Sequence, residues 1–249
     1  MKDNADFALI GWPLGHSFSA AFFRDYFDRD GSGRLYVNHP IERLDPASMK
    51  DFLESHPSLK GFNVTAPHKE TVMQFVRPSE LASRVEAVNT VKVLHRGDDV
   101  ELYGHNTDVE GFRSAIGPML DASDRHALVL GTGGASKAAV AALEDMGLKV
   151  RRVSRSGRYG SAGYDELPEL LKEATVLVNA TPVGTWPNVD AAPDIPYDCL
   201  TADHKCFDMV YNPERTRFME LACERGAAVQ NGYRMLVGQA LAALRIWES

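Results

Sequence analysis

Lys69 and Asp108 are the two side chains of this sequence best suited to moving a proton, and both stand among hydroxyls and amides. Lys69 closes the run Gly61-Phe62-Asn63-Val64-Thr65-Ala66-Pro67-His68-Lys69, and Asp108 closes Gly104-His105-Asn106-Thr107-Asp108. Desolvation lowers a lysine's pKa and a nearby carboxylate raises it again. A Lys–Asp pair can therefore be poised to protonate the alkoxide that grows when hydride reaches a ketone. Two further polar groups are His16-Ser17-Phe18-Ser19, ahead of a predicted helix, and Ala87-Val88-Asn89-Thr90. Hydroxyls beside a helix start suit a carboxylate, because donors and helix dipole agree in sign. Together the four groups fit a polyhydroxylated acid held by Ser, Thr and Asn. Singly, each has a plainer use: an N-cap accounts for one serine or for Asp108, and an exposed helix end for a lysine.

A second kind of chemistry is written in Gly131-Thr132-Gly133-Gly134-Ala135-Ser136. An apolar strand pattern (127–130) precedes it, and a helix pattern follows with Ala138, Ala139, Ala142, Leu143 and Met146 on one face. Strand, glycine turn and helix in that order bring a tight turn and free N–H groups to a pyrophosphate. Ser136 stands where the G-x-G-x-x-G pattern has its last glycine. Sites for NAD place Asp or Glu about 20 residues further on, to accept from the ribose hydroxyls. Here the next strand ends in Ser154-Arg155-Ser156, with Arg158 close behind and no acid among them. A guanidinium matches a phosphate and cannot accept from a hydroxyl, so the expected cofactor is NADP. The alternative is a solvated, arginine-rich strand end. Asn179-Ala180-Thr181-Pro182 ends another strand, either as a polar group on the cofactor side or as an ordinary Asn/Thr turn.

Elements that would position these groups follow from hydrophobic periodicity. Strand-like runs occupy 7–11, 35–38, 61–64, 88–94, 127–131, 150–154, 176–180 and 206–209; helix-like stretches occupy 19–27, 46–55, 68–75, 107–116, 134–146, 166–173, 216–225 and 233–247. Such alternation predicts an α/β protein with parallel sheets and crossover helices. The polar stretch 117–125 separates two blocks, which predicts two α/β domains with a cleft, the C-terminal one a Rossmann-type, doubly wound parallel sheet. The expected division is a substrate-binding and catalytic domain over 1–106, with the last helix (233–249) packing back on it, and a cofactor domain over 107–232.

Composition excludes several classes. The chain has 249 residues, 44% of them apolar, with 27 Lys+Arg against 34 Asp+Glu and a net charge of −7. That balance argues against a general nucleic-acid binder. No apolar run approaches the roughly 18 residues of a membrane span. The N-terminus is acidic where a signal peptide would be basic. Cys199, Cys206 and Cys223 show no C-x-x-C spacing and read as reduced, buried or half-buried thiols, which points to the cytoplasm. The eight histidines lack ligand spacing, so no metal is expected.

The ordered set of motifs resembles that of the shikimate dehydrogenases, nearly end to end. It comprises Gly11-Trp12-Pro13-Leu14-Gly15-His16-Ser17-Phe18-Ser19, then residues 61–69, 87–90, 104–111, 131–135, 154–156 and 179–182, Asp208-Met209-Val210-Tyr211-Asn212-Pro213, and residues 231–240. The resemblance implies reversible reduction of 3-dehydroshikimate to shikimate by NADPH, a step toward the aromatic amino acids. It implies that Ser17 and Ser19 bind the substrate carboxylate with Tyr211 against it, and that Thr65, Asn89 and Gln239 bind hydroxyl or ring-side groups. Lys69 would be the proton donor, and Asp108 its partner and a hydroxyl acceptor. Gly131, Thr132, Gly133, Gly134 and Ala135 would hold the pyrophosphate, and Ser154, Arg155, Ser156 and Arg158 the adenosine phosphate. Thr181 would lie on the cofactor side, and Met209 and Gly232 beside the nicotinamide. The chain departs from the family pattern at Ala20, Phe23 and Arg24, on the helix behind the serines, and at Thr132, Ser154 and Ser156. A paralogue acting on quinate or using NAD is the nearest alternative. A non-catalytic NADP-binding sensor is another, and it would be expected to lose Lys69 or Asp108. The partner is a small molecule, with the chain a monomer or homodimer.

Overall fold

The structure, a computed structural model, describes residues 5–15, 18–97, 99–155, 157 and 160–249. The chain divides into two units, Met1–Thr107 with Ala240–Ser249, and Asp108–Gln239.

In the first unit, β1 (Phe7–Gly11) is buried at every residue, and its period-2 alternation feeds two cores. Ala8 and Ile10 join the cluster of Met49, Phe52, Phe62 and Val64. Phe7 and Leu9 join Phe23, Phe27, Tyr36, Leu244 and Trp247. Helix α1 (Phe18–Asp30) and the last turns of α8 (Tyr233–Glu248) therefore cover one face, and α2 (Pro46–Ser55) the other. Asp45 starts α2 through a capping box with Ser48, and Pro46 occupies the first turn, where its missing N–H costs nothing. The remaining elements are β2 (Tyr36–Pro40), β3 (Gly61–Val64), β4 (Arg77–Pro78), α3 (Glu80–Val85), β5 (Thr90–Arg96) and β6 (Asp99–His105).

The sheet order is β2-β1-β3-β5-β6-β4. It is mixed, not parallel as the alternation of strands and helices predicts: β1 runs parallel to β2 and β3, whereas β5 is antiparallel to both β3 and β6. The β5–β6 pair is a hairpin turning at Gly97 (φ +64), which needs no crossover helix. The helix expected over 68–75 is a 3-10 turn, Thr71–Phe75.

The second unit contains α4 (Asp108–Ile116), β7 (His126–Leu130), α5 (Gly134–Asp145), β8 (Lys149–Val153), α6 (Leu167–Leu170), β9 (Val176–Asn179), β10 (Lys205–Asp208), α7 (Arg217–Glu224) and β11 (Ala228–Gln230). The helix expected over 166–173 shrinks to α6, preceded by the 3-10 turn Tyr164–Glu166. All five strands are parallel, in the order β11-β10-β9-β7-β8. Counted along the chain this is 2-1-3-4-5, a doubly wound order that reverses direction between β7 and β9. Within this unit α4 meets the start of α8 through two glycines. A Cβ on Gly111 would lie 2.6 Å from the Met235 carbonyl, and one on Gly238 would lie 2.8 Å from the Ser114 hydroxyl.

Candidate active site

In the first unit the polar groups gather where β3 ends, β5 begins and β6 ends. The Asn63 Nδ2 donates to the Asn89 carbonyl (3.2 Å) and to Thr90 Oγ1 (3.1 Å). The Tyr36 hydroxyl donates to Asn63 Oδ1 at 2.9 Å. Asn89 Oδ1 accepts from the Thr107 N–H (2.7 Å), the Thr107 hydroxyl (3.2 Å) and the Thr90 hydroxyl (3.2 Å). These three donors occupy the Asn89 amide oxygen. All five residues are buried. Burial pushes the Tyr36 phenol well above its ordinary pKa, and its hydrogen bond with Ser19 opposes that shift. That bond joins Ser19, in the first turn of α1, to the network.

Thr65 and Lys69 follow β3, both half-buried. The Thr65 N–H donates to the Ile10 carbonyl at 2.9 Å, and the Lys69 carbonyl accepts from the Val88 N–H at 2.8 Å. Gly11 makes the first of these approaches possible, since a Cβ there would lie 2.4 Å from the Thr65 methyl. Lys69 is thus tied to the residue next to Asn89, just ahead of β5. Ser17 lies outside the described residues.

In the second unit, Gly131 follows β7 at φ +110, and a Cβ there would stand 3.1 Å from the Ala180 carbonyl. Gly133 is the N-cap of α5 and makes no side-chain cap, so the first-turn N–H groups of Gly134, Ala135 and Ser136 are not capped by a side chain. Ser136 is fully buried and donates to the Gly131 carbonyl at 2.7 Å, which closes the turn from the position where a glycine was expected. Thr132 is half-buried beside Gly131. On the neighbouring strand the Val153 carbonyl accepts from the Gly131 N–H at 2.9 Å, which sets Ser154 and Arg155 level with the glycine turn. Arg155 is exposed, and the Ser154 hydroxyl pairs with Ser161 at 2.7 Å. Ser156 and Arg158 lie outside the described residues.

On the other side of β7, the loops after β9 and β10 are tied together. Thr181 donates its hydroxyl to Asn179 Oδ1 at 2.6 Å and accepts from the Val183 N–H at 3.3 Å. Asn179 Nδ2 donates to Asp208 Oδ1 at 3.0 Å. Burial pushes the Asp208 carboxyl up to about 6, against the hydrogen bonds from Thr216, Val210 and Asn179. A Cβ on Gly232 would lie 2.2 Å from the Met209 carbonyl, so glycine is required where these segments meet. Tyr211 is partly exposed, and burial raises its phenol pKa. Asp108, the first residue of α4, and Gln239, at the end of this unit's share of α8, are both buried.

Residues 9–91 match the family model described as the shikimate dehydrogenase substrate binding domain. The chain is 34% identical to a protein of Ignicoccus hospitalis named shikimate dehydrogenase (NADP(+)), over 97% of this chain and 92% of that one. A solved shikimate 5-dehydrogenase from Thermus thermophilus, in complex with NADP(H) and shikimate, aligns with TM-score 0.84 and 31% identity, covering 98% and 93% of the two chains. A quinate dehydrogenase from Corynebacterium glutamicum in complex with NAD aligns with TM-score 0.85 and 27% identity, over 98% and 94%. The chain belongs to the shikimate dehydrogenase family.

Of the departures from the shikimate dehydrogenase pattern on α1, Phe23 has a packing explanation. Phe23 is fully buried, with its ring stacked on Tyr36 at 4.6 Å and on Phe27 at 5.8 Å, while Arg24 faces solvent. The substitution fixes the ring whose hydroxyl reaches Asn63. Reading the sequence missed Tyr36, Asn63, Thr107 and Asp208 as parts of the polar networks. For Asp208 a signal was present: an acid ends the apolar run Cys206-Phe207, where a buried strand leaves it few ways to stay solvated. The thiols need one correction. Cys206 is buried and Cys199 half-buried, but Cys223 is exposed, because it falls on the outer face of α7.

Proposed function

We propose that this chain catalyses the reversible, NADP(H)-dependent reduction of 3-dehydroshikimate to shikimate. The observation that carries the reading is the match, over 97% of the chain, to relatives named for that dehydrogenase activity and cofactor. The residues present fit the cofactor. At Gly131 a side chain would press on the Ala180 carbonyl, the first turn of α5 lacks a side-chain cap, and an exposed arginine, Arg155, follows β8 in a stretch of sequence without an acid. Residues 131–135 would hold the pyrophosphate and Ser154, Arg155, Ser156 and Arg158 the adenosine phosphate, with Thr181, Met209 and Gly232 on the nicotinamide side. When bound, NADPH supplies the hydride that adds to the carbonyl carbon.

The chain's own groups do the rest. Ser17, Ser19 and Tyr211 bind the substrate carboxylate; Thr65, Asn89 and Gln239 hold the hydroxyl and ring-side groups. Lys69 delivers its ammonium proton to the carbonyl oxygen as the alkoxide forms. Asp108 accepts from a substrate hydroxyl and balances the lysine's charge. In this reading residues 1–106 and α8 serve the substrate, and residues 107–232, Asp108 and Tyr211 apart, serve the cofactor.

A second reading, a quinate dehydrogenase using NAD, draws on the quinate dehydrogenase of similar fold. The acid-free end of β8 weighs against it, because NAD sites use a carboxylate there. Loss of NADPH absorbance with 3-dehydroshikimate, run beside NADH and 3-dehydroquinate, tests both. Turnover with NADPH and 3-dehydroshikimate alone supports the first reading, and turnover with NADH or 3-dehydroquinate moves the assignment to the second. NADPH binding without turnover in any pairing would point to a sensor. No helix of the described residues is long and apolar enough to cross a membrane. We place the reaction in the cytoplasm, in keeping with three unpaired cysteines, and sedimentation decides between monomer and homodimer.

A further inference from the structure

Asp208 has no part in the chemistry proposed above, yet it is the most fully enclosed charged side chain among the described residues of the second unit. Asp208, Asn179 and Thr216 each have 0% exposure. Three donors converge on its carboxylate: Asn179 Nδ2 at 3.0 Å and the Val210 N–H at 3.0 Å on Oδ1, and the Thr216 hydroxyl at 2.6 Å on Oδ2. Each donor belongs to a different segment. Asn179 ends β9 and orients Thr181, whose methyl and preceding carbonyl lie against Gly131. Val210 follows Met209, on whose backbone Gly232 packs. Thr216 caps α7 through the Met219 N–H at 3.3 Å.

A dinucleotide in a doubly wound sheet lies across the strand ends at the point where the order reverses, here between β7 and β9. The arginine at the end of β8 marks the adenosine side, so the loops after β9 and β10 are left for the nicotinamide side. We propose that Asp208 is a positioning residue: its buried carboxylate holds the loops after β9 and β10 in the arrangement that receives the nicotinamide half of the cofactor. The inference rests on the NADP reading given above. A carboxylate suits the task because it only accepts, so one group can draw in three donors at once. An amide in its place turns one acceptor into a donor and faces it with a donor it cannot satisfy.

The test is direct binding, by calorimetry, of NADPH and of adenosine 2′,5′-bisphosphate, which has no nicotinamide. The proteins are wild type, Asp208→Asn and Thr181→Val, the last keeping the carboxylate and removing the hydroxyl's bonds to Asn179 and to the Val183 N–H. Asp208→Asn is expected to weaken NADPH by about tenfold to a hundredfold, the range set by losing a charge-assisted hydrogen bond, while the bisphosphate binds as before. Thr181→Val, expected to fold, should weaken NADPH by a few-fold, again without touching the bisphosphate. Equal weakening of both ligands, or unchanged NADPH affinity in the folded variants, overturns the positioning role. If Asp208→Asn does not fold, Thr181→Val alone decides by the same criterion. Wild type that binds the bisphosphate and NADPH equally well also overturns it, since no nicotinamide subsite then exists. Wild type that binds neither ligand overturns the NADP reading itself.

Discussion

Around the end of β3, five buried side chains without charge, Tyr36, Asn63, Asn89, Thr90 and Thr107, hydrogen-bond one another. At the ends of β9 and β10, two buried neutral side chains and a backbone N–H gather round one carboxylate. The two regions solve different problems. The first must offer side-chain donors to a small hydroxylated acid, so it fixes amides and hydroxyls by neutral hydrogen bonds, each contributing about 1 kcal/mol net. The second must leave backbone N–H groups open at a glycine turn, so it uses side chains to fix loops. One buried charge organises three segments there, and its desolvation is the cost. On the proposed reading, substrate recognition is a matter of side chains, and cofactor recognition largely of backbone shape.

The sharpest way to break that contrast is Lys69→Ala. It should cut turnover by roughly 10²–10⁴ while NADPH affinity stays near normal, because a lost proton donor removes help in the transition state only. Single-turnover rates and NADPH titration check it, and a near-normal rate would remove Lys69 from the chemistry.

The buried charge supplies the next effect. Asp208 has a folded-state value of about 6 against the ordinary 3.8. A raised carboxyl lends stability that is complete below pH 3.8 and is lost as pH rises through about 6, roughly 3 kcal/mol in all. Its titratable neighbours hold their charge through this window: burial pushes the Cys206 thiol up to about 12 and raises the Tyr197 phenol, and Arg217 stays charged. The unfolding free energy of wild type minus that of Asp208→Asn, by urea titration, should therefore fall by about 2.5 kcal/mol between about pH 4 and pH 7.5. A flat difference would mean that the carboxyl bears no such burden.

Arg155→Ala should raise the KM for NADPH by about tenfold or more, the worth of a charge-assisted contact to phosphate, with little change for NADH. Equal effects on the two cofactors would sink the 2′-phosphate role. Smallest is Tyr36→Phe, which leaves Asn63 Oδ1 without its donor in a buried place and should cost about 1–2 kcal/mol of stability. Chemical denaturation measures it. A loss below a few tenths would mean that the neutral network tolerates gaps and is no scaffold.

The second unit was easier to read than the first. Residues 127–130, 134–146 and 150–154 were legible as strand, helix and strand because each carries its own periodicity, and the glycines between them have a local reason to be there. In the first unit β6 alternates Val100, Leu102 and Gly104 after the turn at Gly97, a pattern that could have marked a hairpin. Of the candidate site, the glycine turn, Arg155, Lys69 and Asn89 stood out by type and spacing. Tyr36 did not, because a tyrosine in a strand is ordinary until its hydroxyl is seen to face Asn63.

The sequence by itself determined the kind of elements, the break into two blocks and the chemistry available at each loop. Periodicity, glycine turns and side-chain type act over a few residues, so a linear string carries them. Only the tertiary structure decided that β5 turns back antiparallel to β3, that Ser136 closes a turn at the place of a glycine, and that Asp208 joins three segments. The first and last of those outcomes depend on partners far apart along the chain, such as Asn63 with Thr90 and Asn179 with Asp208. Burial makes such pairings obligatory, because a polar group taken from water must find its partner wherever the fold has put one.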